Sequence, residues 1–197
     1  GLAVTGRVPL SRLKRNSSAQ PGCLLMLTKP LGVGVLTTAL KRGLLAAEHQ
    51  AIAPKLMCEL NDIGVELGAH EAVRAMTDVT GFGLLGHLLE LCQGSGLSAE
   101  VVFESVPVLS AARGYAADGC TPGGTSRNFN AYGEHISELT ALQKALLCDP
   151  QTSGGLLMAV EPSGLADVQR LAAGRGLELQ PFGQLFKDEG GPTIRVV

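Results

Sequence analysis

Apolar and polar residues follow one another in short blocks whose spacing changes between strand-like and helical. Residues 72–79 form an apolar run of strand character with Asp78 near its end, and apolar positions recur at helical spacing over 84–93. The turn Thr80-Gly81-Phe82-Gly83 joins the two blocks. A carboxylate at the C-terminal end of a strand, followed by glycines and a helix start, is where open α/β folds bind ligands. The stretch 72–93 is therefore the first candidate for a functional site.

The same pattern predicts elements on both sides of this stretch. The further predicted strands are 1–8, 23–28, 98–106 and 156–160, together with a terminal hairpin that pairs 177–186 with 193–197 through the turn 188–191. The further predicted helices are 33–42, 51–68, 107–117, 136–147 and one that Ser163 caps and that runs to residue 173. Residues 9–22 are predicted to be a linker, and 119–129 a glycine-rich loop. Strands and helices in comparable number, with one βαβ unit and one hairpin, predict an α+β fold with a mixed sheet covered by helices.

Composition narrows the function classes. The chain has 197 residues, enough for one large domain with a proper core. Its net charge of −2 argues against a nucleic-acid partner, which would need a clustered basic excess. Its aromatic content of 4% provides few side chains on which bases could stack. The 26 glycines predict several tight turns or close backbone approaches.

Cysteines and apolar runs indicate the compartment. The five cysteines are odd in number and contain no C-x-x-C pair, so reduced thiols are expected rather than a disulfide framework or a zinc site. The first 20 residues lack the apolar core of a secretory signal. The longest apolar stretch, 23–38, is interrupted by Lys29-Pro30 and is too short to span a bilayer. We expect a soluble cytoplasmic protein without a membrane partner.

Three interpretations of the central stretch remain open from these residues alone. Residues 81–86 spell G-x-G-x-x-G, and Glu104 lies where a ribose-binding acid would be expected, which favours a dinucleotide site. Asp78, three residues before the first glycine, would repel a bare pyrophosphate unless a cation lay between them. A Mg²⁺ ion on Asp78, with the glycine turn approaching phosphate, accounts for both features. The third interpretation is that Asp78 or Thr80 simply caps the following helix.

Two further loops carry groups suited to anions. Residues 121–128 form one glycine-rich segment that can contact phosphate or be a plain turn, and its candidate groups are Gly123, Gly124, Thr125, Arg127 and Asn128. The segment 149–155 has the same two interpretations. His87 is expected to be a packed or partly exposed histidine rather than a ligand, and no Ser-His-Asp or Cys-His arrangement is present in the pattern.

Five segments taken together resemble one family. They are NSSAQPGC at 16–23, LTKPLGVGVLTTALKRG at 27–43, AMTDVTGFGLLGHL at 75–88, CTPGGTSRNF at 120–129 and LLCDPQTSGGLL at 146–157. In this order and at these intervals they resemble the C-terminal half of bacterial selenophosphate synthetases (selenide, water dikinases), within the aminoimidazole-ribonucleotide-synthetase-like superfamily. The resemblance covers essentially the whole chain.

The resemblance implies an activity and a set of ligands. The family makes selenophosphate from selenide, ATP and water, releasing AMP and phosphate, with ATP and Mg²⁺ bound between an N-terminal domain and a C-terminal α+β domain. It implies a homodimer formed through the N-terminal domain, and Asp78 as the metal ligand from the C-terminal side. The nucleotide and phosphate side would include Thr80, Gly81, Gly83, Gly123, Gly124, Thr125 and Asn128.

The chain departs from the family pattern in what it lacks. The family's catalytic Cys or selenocysteine, its neighbouring Lys and the other metal aspartates belong to an N-terminal part that these residues do not include, so no catalytic residue is predicted here. Residues 1–18 are expected to be a trailing strand and linker, disordered or paired with another copy, and 19–197 the synthetase-like domain. We expect the chain alone to be inactive. The alternatives are a related ATP-dependent enzyme of the superfamily or a non-catalytic binding module.

Overall fold

A six-stranded mixed sheet forms the centre of the fold. The structure, a computed structural model, describes residue 3 and residues 5–197. The strands are β1 (Leu24–Leu27), β2 (Val73–Asp78), β3 (Leu97–Val101), β4 (Leu156–Val160), β5 (Gly183–Lys187) and β6 (Ile194–Val196). The helices are α1 (Val33–Lys41), α2 (Ile52–Cys58), α3 (Gly64–Ala69), α4 (Gly83–Ser95), α5 (Ser110–Ala117), α6 (Gly123–Tyr132), α7 (Ala141–Leu147) and α8 (Leu165–Ala173). The predicted α+β class is confirmed.

The strand order places β2 at one edge of the sheet. The order is β2-β4-β1-β5-β3-β6, and all neighbours are antiparallel except β3 and β6, which are parallel. Asp78 pairs with Leu156 at the end of the β2–β4 ladder. The C-terminal end of β2 therefore lies beside the turn that leads into β4. The unit β2-α4-β3 is present, but three strands separate its two parallel strands.

Helices bury both faces of the sheet. The larger hydrophobic cluster combines sheet residues such as Leu25 and Leu157 with side chains of α1, α2, α4, α5 and α7. The smaller cluster combines Met26 and Met158 with side chains of α3 and α8. All five residues of β4 are buried, because successive side chains point to opposite faces and both faces are covered. This explains why β4 reads as a continuous apolar run rather than an alternating one.

The predicted helix over 51–68 is wrong as one element. The chain leaves the helical path after Cys58, and α3 begins at Gly64. The backbone between them makes tertiary contacts: Lys29 Nζ donates to Glu59 O at 2.7 Å, and the Asn61 side chain donates to Gly154 O at 2.8 Å. These contacts interrupt an amphipathic pattern that is otherwise continuous.

The predicted loop over 119–129 is largely a helix. Residues from Gly123 onward form α6, with Pro122 in extended conformation at its N-cap. Two glycines are tolerated here because they lie in the first helical turn, whose backbone N–H groups have no intrahelical partners. Gly124 also packs against Pro150, where an added Cβ would lie 2.8 Å from Cγ. The loop prediction is wrong because the two glycines lie in the first turn of a helix, where close packing against Pro150 favours them.

The prediction of a C-terminal hairpin is also wrong. β5 and β6 are not neighbours, because β3 lies between them and pairs with both. The predicted helix over 136–147 begins only at Ala141, where Thr140 and Gln143 form a capping box, and Ile136 instead forms a bridge to Ile194. The strand over 98–106 ends at Val101. Long-range pairing separated β5 from β6, whereas a local capping box set the start of α7.

Smaller corrections concern two helix starts. Ser163 does not cap α8; a short 3₁₀ turn that begins at Pro162 precedes the helix, and Gly164 occupies the N-cap position without a side-chain bond. The helix predicted from residue 107 begins at Ser110. The remaining predicted strands and helices, 23–28, 33–42, 72–79, 84–93 and 156–160, are confirmed to within two residues at each end.

The N-terminal segment packs on the edge of β2 instead of remaining free. Residues 1, 2 and 4 of the predicted strand lie outside the described part of the chain, and 5–8 have no regular structure. Arg15 O accepts a bond from Met76 N at 3.3 Å, and Ser18 Oγ donates to Arg74 O at 2.7 Å. Lys14 Nζ donates to His70 O at 3.0 Å. The expectation of disorder is therefore wrong for 14–18, which cover an otherwise open strand edge.

Candidate functional site

Asp78 stands alone at the exposed end of β2. Its side chain is exposed, and no other described group forms a hydrogen bond or an ion pair with its carboxylate. Within the described residues no group of three or more His, Cys, Asp or Glu could hold a metal ion. A single free carboxylate fits Mg²⁺ as a partial site, since this ion takes one or two carboxylates and completes its shell with water and phosphate oxygens.

The glycines of the following turn have different roles. Gly81 is exposed, and an added Cβ would meet nothing within 4 Å. Gly83 has a φ of +71° and is buried against Cys148, whose carbonyl carbon would lie 2.7 Å from an added Cβ. Gly86 is pressed between Phe82 and the ring of Tyr132. Only Gly81 leaves room for a ligand, and the other two serve packing, which removes the structural basis of a dinucleotide fingerprint.

Asn128 joins the segment 121–128 to the glycine turn 80–83. Its side-chain amide donates to Gly81 O at 2.8 Å and to Cys148 O at 3.1 Å. One turn further along α6, the Tyr132 hydroxyl donates to Phe82 O at 2.7 Å. Both N–H donors of Asn128 are thereby used inside the protein. Its role here is to hold the glycine turn against the middle of α6 and against the residue that follows α7.

A cleft of about 590 Å³ lies where these elements meet. Its walls include Gly81 and the first residues of α6, Gly123 and Gly124. Its charged side chains are all cationic: Lys41, Arg42 and Arg127. Thr125 is not among the cleft residues; it is buried, lines an apolar pocket between α5, α6 and α7, and its hydroxyl has no described partner.

Lys41 and Arg42 were not predicted as site residues from the sequence. They end α1, which the pattern predicted correctly, but nothing in the spacing showed that the C-terminal end of α1 faces the start of α6. Arg42 is held there by a bond from Nη1 to Gly119 O at 2.9 Å. One sequence feature could have indicated them: Lys41 and Arg42 belong to the segment 27–43, which is one of the five segments that carry the family resemblance.

The turn 149–155 is built from buried polar contacts. Asp149 is fully buried, and its Oδ2 accepts bonds from Gly34 N, Val35 N and Gln151 Nε2 at 3.0, 3.3 and 2.8 Å. Burial raises the pKa of Asp149 to about 7, although these donors act in the opposite direction. The carboxylate thus binds the first turn of α1.

Lys29 holds the other end of this turn. Its ammonium is buried and donates to Ser153 O at 2.8 Å as well as to Glu59 O. Burial lowers the pKa of Lys29. Ser153 has a φ of +52°, the only non-glycine residue with positive φ among the described residues. A strained residue at a sheet end, fixed by a buried cation, marks this turn as a constrained part of the site region.

The thiol of Cys148 is buried and is not activated as a nucleophile. Burial raises its pKa to about 11, although a bond with the Tyr132 hydroxyl acts in the opposite direction. A thiol with a raised pKa is poorly ionised at neutral pH and reacts slowly. Cys23 and Cys92 are buried with raised pKa values for the same reason.

Comparison with known proteins identifies close relatives. The chain is 56% identical over 197 residues to selenide, water dikinase of Cronobacter sakazakii, covering 100% of this chain and 57% of that protein. It is 56% identical over 185 residues to the protein of the same name from Yersinia pestis, covering 94% of this chain and 53% of the relative. The chain therefore spans little more than half the length of the curated relatives it matches.

Solved structures share the fold at lower identity. Thiamine-monophosphate kinase from Stenotrophomonas maltophilia superposes with a TM-score of 0.67 at 20% identity, covering 93% of this chain and 52% of that one. The hydrogenase maturation protein HypE of E. coli gives a TM-score of 0.62 at 19% identity, covering 93% and 48%. At these identities the likeness concerns the fold alone.

A family model gives the classification. The model described as "AIR synthase related protein, C-terminal domain" matches residues 20–194, nearly the whole chain. None of the described helices combines the length and apolar character needed to cross a membrane. By this match, the chain belongs to the family of AIR synthase related protein C-terminal domains.

Proposed function

We propose that this chain is the C-terminal part of an enzyme that makes selenophosphate from selenide, ATP and water, releasing AMP and phosphate. The observation that carries the proposal is 53–56% identity to proteins named selenide, water dikinase over 94–100% of this chain. The structural neighbours support nucleotide chemistry in this fold class, since HypE was solved in complex with ATP. We infer that the N-terminal part of the same polypeptide supplies the nucleophile and the remaining metal ligands.

Asp78 would contribute one ligand to Mg²⁺. The support is its exposed carboxylate at the end of β2, which no described side chain binds. When bound, Mg²⁺ supplies neutralisation of phosphate charge. Because one carboxylate is insufficient for tight binding, the isolated chain would bind Mg²⁺ and ATP weakly, and binding would tighten when the N-terminal part completes the site.

The cationic cleft would face the phosphate groups. Lys41, Arg42 and Arg127 provide positive charge, and the exposed backbone at Gly81 and Gly123 allows close approach. Gly83, Gly124 and Asn128 would act indirectly, by packing and bonding that hold the two loops together. Thr125 would also act indirectly, from its buried position between α5, α6 and α7. A homodimer formed through the N-terminal part is also part of this proposal.

Reconstitution tests the proposal. The chain is mixed with the N-terminal part of the Cronobacter sakazakii relative, and selenide-dependent AMP release from ATP and Mg²⁺ is measured. AMP should appear only when both parts are present. The variant Asp78→Asn should abolish it while its folded structure is retained, because Mg²⁺ loses a charged ligand and no internal contact is broken.

One variant serves as the control, and three outcomes would contradict parts of the proposal. Asp188→Asn, in the turn after β5, keeps its bond from Gly190 N and should leave AMP release unchanged. Comparable AMP release by the chain alone would contradict its inactivity. ATP hydrolysis that does not depend on selenide would favour a different enzyme of the family. No nucleotide effect in any mixture would favour a non-catalytic module.

A further inference from the structure

The apolar pocket between α5, α6 and α7 has the size of a small-molecule site. Its volume is about 550 Å³, and ligand pockets in proteins typically measure about 300–1,000 Å³. Small side chains form much of its wall: Ala116 and Ala117 of α5, and Ala141 and Ala145 of α7. Ala116 and Ala145 are buried, whereas Ala117 and Ala141 are exposed. The pocket therefore extends from the surface into the layer of helices.

This pocket and the cationic cleft lie on opposite faces of α6. Four residues of the helix line the cleft: Gly123, Gly124, Arg127 and Asn128. They share one face, because residues four positions apart in a helix are neighbours. Thr125 and Ser126 line the pocket instead, and at about 3.6 residues per turn these two positions point away from the other four. The pocket is thus a site separate from the cleft.

The hydroxyl of Thr125 is an unused polar group in this pocket. Thr125 is 2% exposed, and its hydroxyl has no hydrogen-bond partner within the described part of the chain. A helical threonine commonly donates to a carbonyl three or four positions earlier, but here Pro122 O accepts a bond from Thr125 N at 3.0 Å and none from the hydroxyl. Because a buried hydroxyl without a partner costs free energy, this group calls for a partner that the chain does not supply.

Lys144 gives the same pocket a positive charge. Of the described residues that line the pocket, Lys144 alone carries a charge. It belongs to none of the ion pairs found within the described ranges. Its ammonium lies 4.1 Å from the ring centroid of Phe129, which follows Thr125 by one turn on α6. The cation is therefore held on the Thr125 side of that helix.

We propose that this pocket binds a small monocarboxylic acid with an apolar body. The alanines and Leu142 contact the apolar body, while the carboxylate accepts a hydrogen bond from the Thr125 hydroxyl and pairs with Lys144. Phosphate esters and nucleotides suit the cleft better, because it has three cationic side chains and this pocket has one. The proposal goes beyond the proposed function, since the pocket lies on the other face of α6 from the cleft.

The probe for this site is 3-phenylpropionate, and 3-phenylpropan-1-ol is the uncharged molecule with the same apolar body. Each is titrated into the ¹⁵N-labelled chain, and binding is followed by ¹H–¹⁵N correlation spectra. Saturable shifts should be concentrated in residues 116–126 and 141–145. The acid should bind with a Kd of about 5 mM or tighter, as expected for a ligand of this size. The alcohol should bind about threefold to tenfold more weakly, because it has no charge to pair with Lys144.

Two variants test the polar groups separately. Thr125→Val replaces the hydroxyl by a methyl group and should weaken binding of the acid by about tenfold. Since the hydroxyl bonds to nothing in the chain, this variant should unfold at the native temperature or higher. Lys144→Met should weaken binding of the acid by about threefold and leave binding of the alcohol unchanged. Lys55→Met, at an exposed position of α2 outside the pocket, is the control and should bind both molecules as the native chain does.

Four results would overturn the proposal. The first is the absence of saturable shifts in residues 116–126 and 141–145, and the second is equal affinity for the acid and the alcohol. The third is native affinity for the acid in Thr125→Val. The fourth is a lower unfolding temperature of Thr125→Val, which would show that the hydroxyl serves the packing of α6. None of these results bears on selenide-dependent AMP release, which tests the proposed function separately.

Discussion

The carboxylate of Asp149 lies over the first turn of α1 and accepts a bond from Gly34 N at 3.0 Å. Gly34 is inside the helix, where glycine ordinarily destabilises, yet a Cβ at this position would collide with Asp149 Oδ1 and lie 2.6 Å from Pro150 O. The approach of the turn 149–155 to α1 thus depends on the missing side chain. This contact joins two segments that are 115 residues apart in the chain.

Replacing Gly34 by Ala should destabilise the fold despite the better helix propensity of Ala. The added methyl group must displace a backbone carbonyl, and overpacking of this kind costs about 1–3 kcal/mol. Urea unfolding measures the change. The matched control is Gly114→Ala, in an exposed position of α5 with nothing within 4 Å of the added Cβ. The control should be stabilising by roughly 0.5–1 kcal/mol. Equal effects of both changes would contradict the packing explanation.

The stability of the chain should fall as the pH rises through the titration of Asp149. Burial raises the pKa of this carboxyl from 3.8 to about 7, so the folded chain retains a proton that the unfolded chain has lost between these values. The unfolded state then binds fewer protons, and the contribution to the free energy of unfolding declines by up to about 1.4 kcal/mol per pH unit.

This pH dependence is measured as the difference between the native chain and Asp149→Asn. Urea unfolding at pH 5 and pH 8 should show a larger loss of stability for the native chain, because Asn has no proton to lose. All other carboxyl groups are common to both proteins and cancel in the comparison. An identical pH dependence of the two would show that Asp149 is ionised throughout this range.

Asn128 should be important for the ordering of the glycine turn. Asn128→Ala leaves Gly81 O and Cys148 O without their donor, and a buried group without a partner costs about 1–3 kcal/mol. Amide hydrogen exchange of residues 81–86 should accelerate in the variant. Asn130→Ala, on the exposed side of the same helix, is the control and should change neither property. Native exchange rates in Asn128→Ala would mean that packing alone holds the turn.

Lys29 should stabilise the fold rather than act at the surface. Lys29→Met preserves the length of the side chain but leaves Glu59 O and Ser153 O without the ammonium, and we expect a loss of about 1–3 kcal/mol. Lys55→Met, at an exposed position of α2, is the control. Thermal unfolding of both variants measures the difference. A Lys29→Met variant as stable as the native chain would show that water replaces the ammonium there.

Local patterns in the sequence predicted most elements that depend on neighbouring residues. The apolar runs of β1, β2 and β4, the helical spacing of α1 and α4, and Asp78 at the end of β2 were all predicted. The α+β class followed from the same patterns. These features were accessible because strand and helix periodicities are properties of contiguous residues.

Tertiary structure decided what contiguous residues could not. It broke the helix over 51–68 through bonds from Lys29 and Asn61, inserted β3 between β5 and β6, and made a helix of residues from Gly123 onward. It also separated the glycines into Gly81, which is open, and Gly83 and Gly86, which are packed. Identical residues in one motif thereby acquired different roles.

The stretch 72–93 shows the division most clearly. Its sequence alone determined a strand, a carboxylate, a glycine turn and a helix, in that order, and that Asp78 would stand at the strand end. Only the tertiary structure decided that Asn128 binds the turn, that Lys41 and Arg42 face it across a cleft, and that the Thr80 hydroxyl lies 3.2 Å from Nε2 of His87. The physical reason is that these contacts join segments that are distant in the chain or buried against one another, and their partners are chosen by packing rather than by local periodicity.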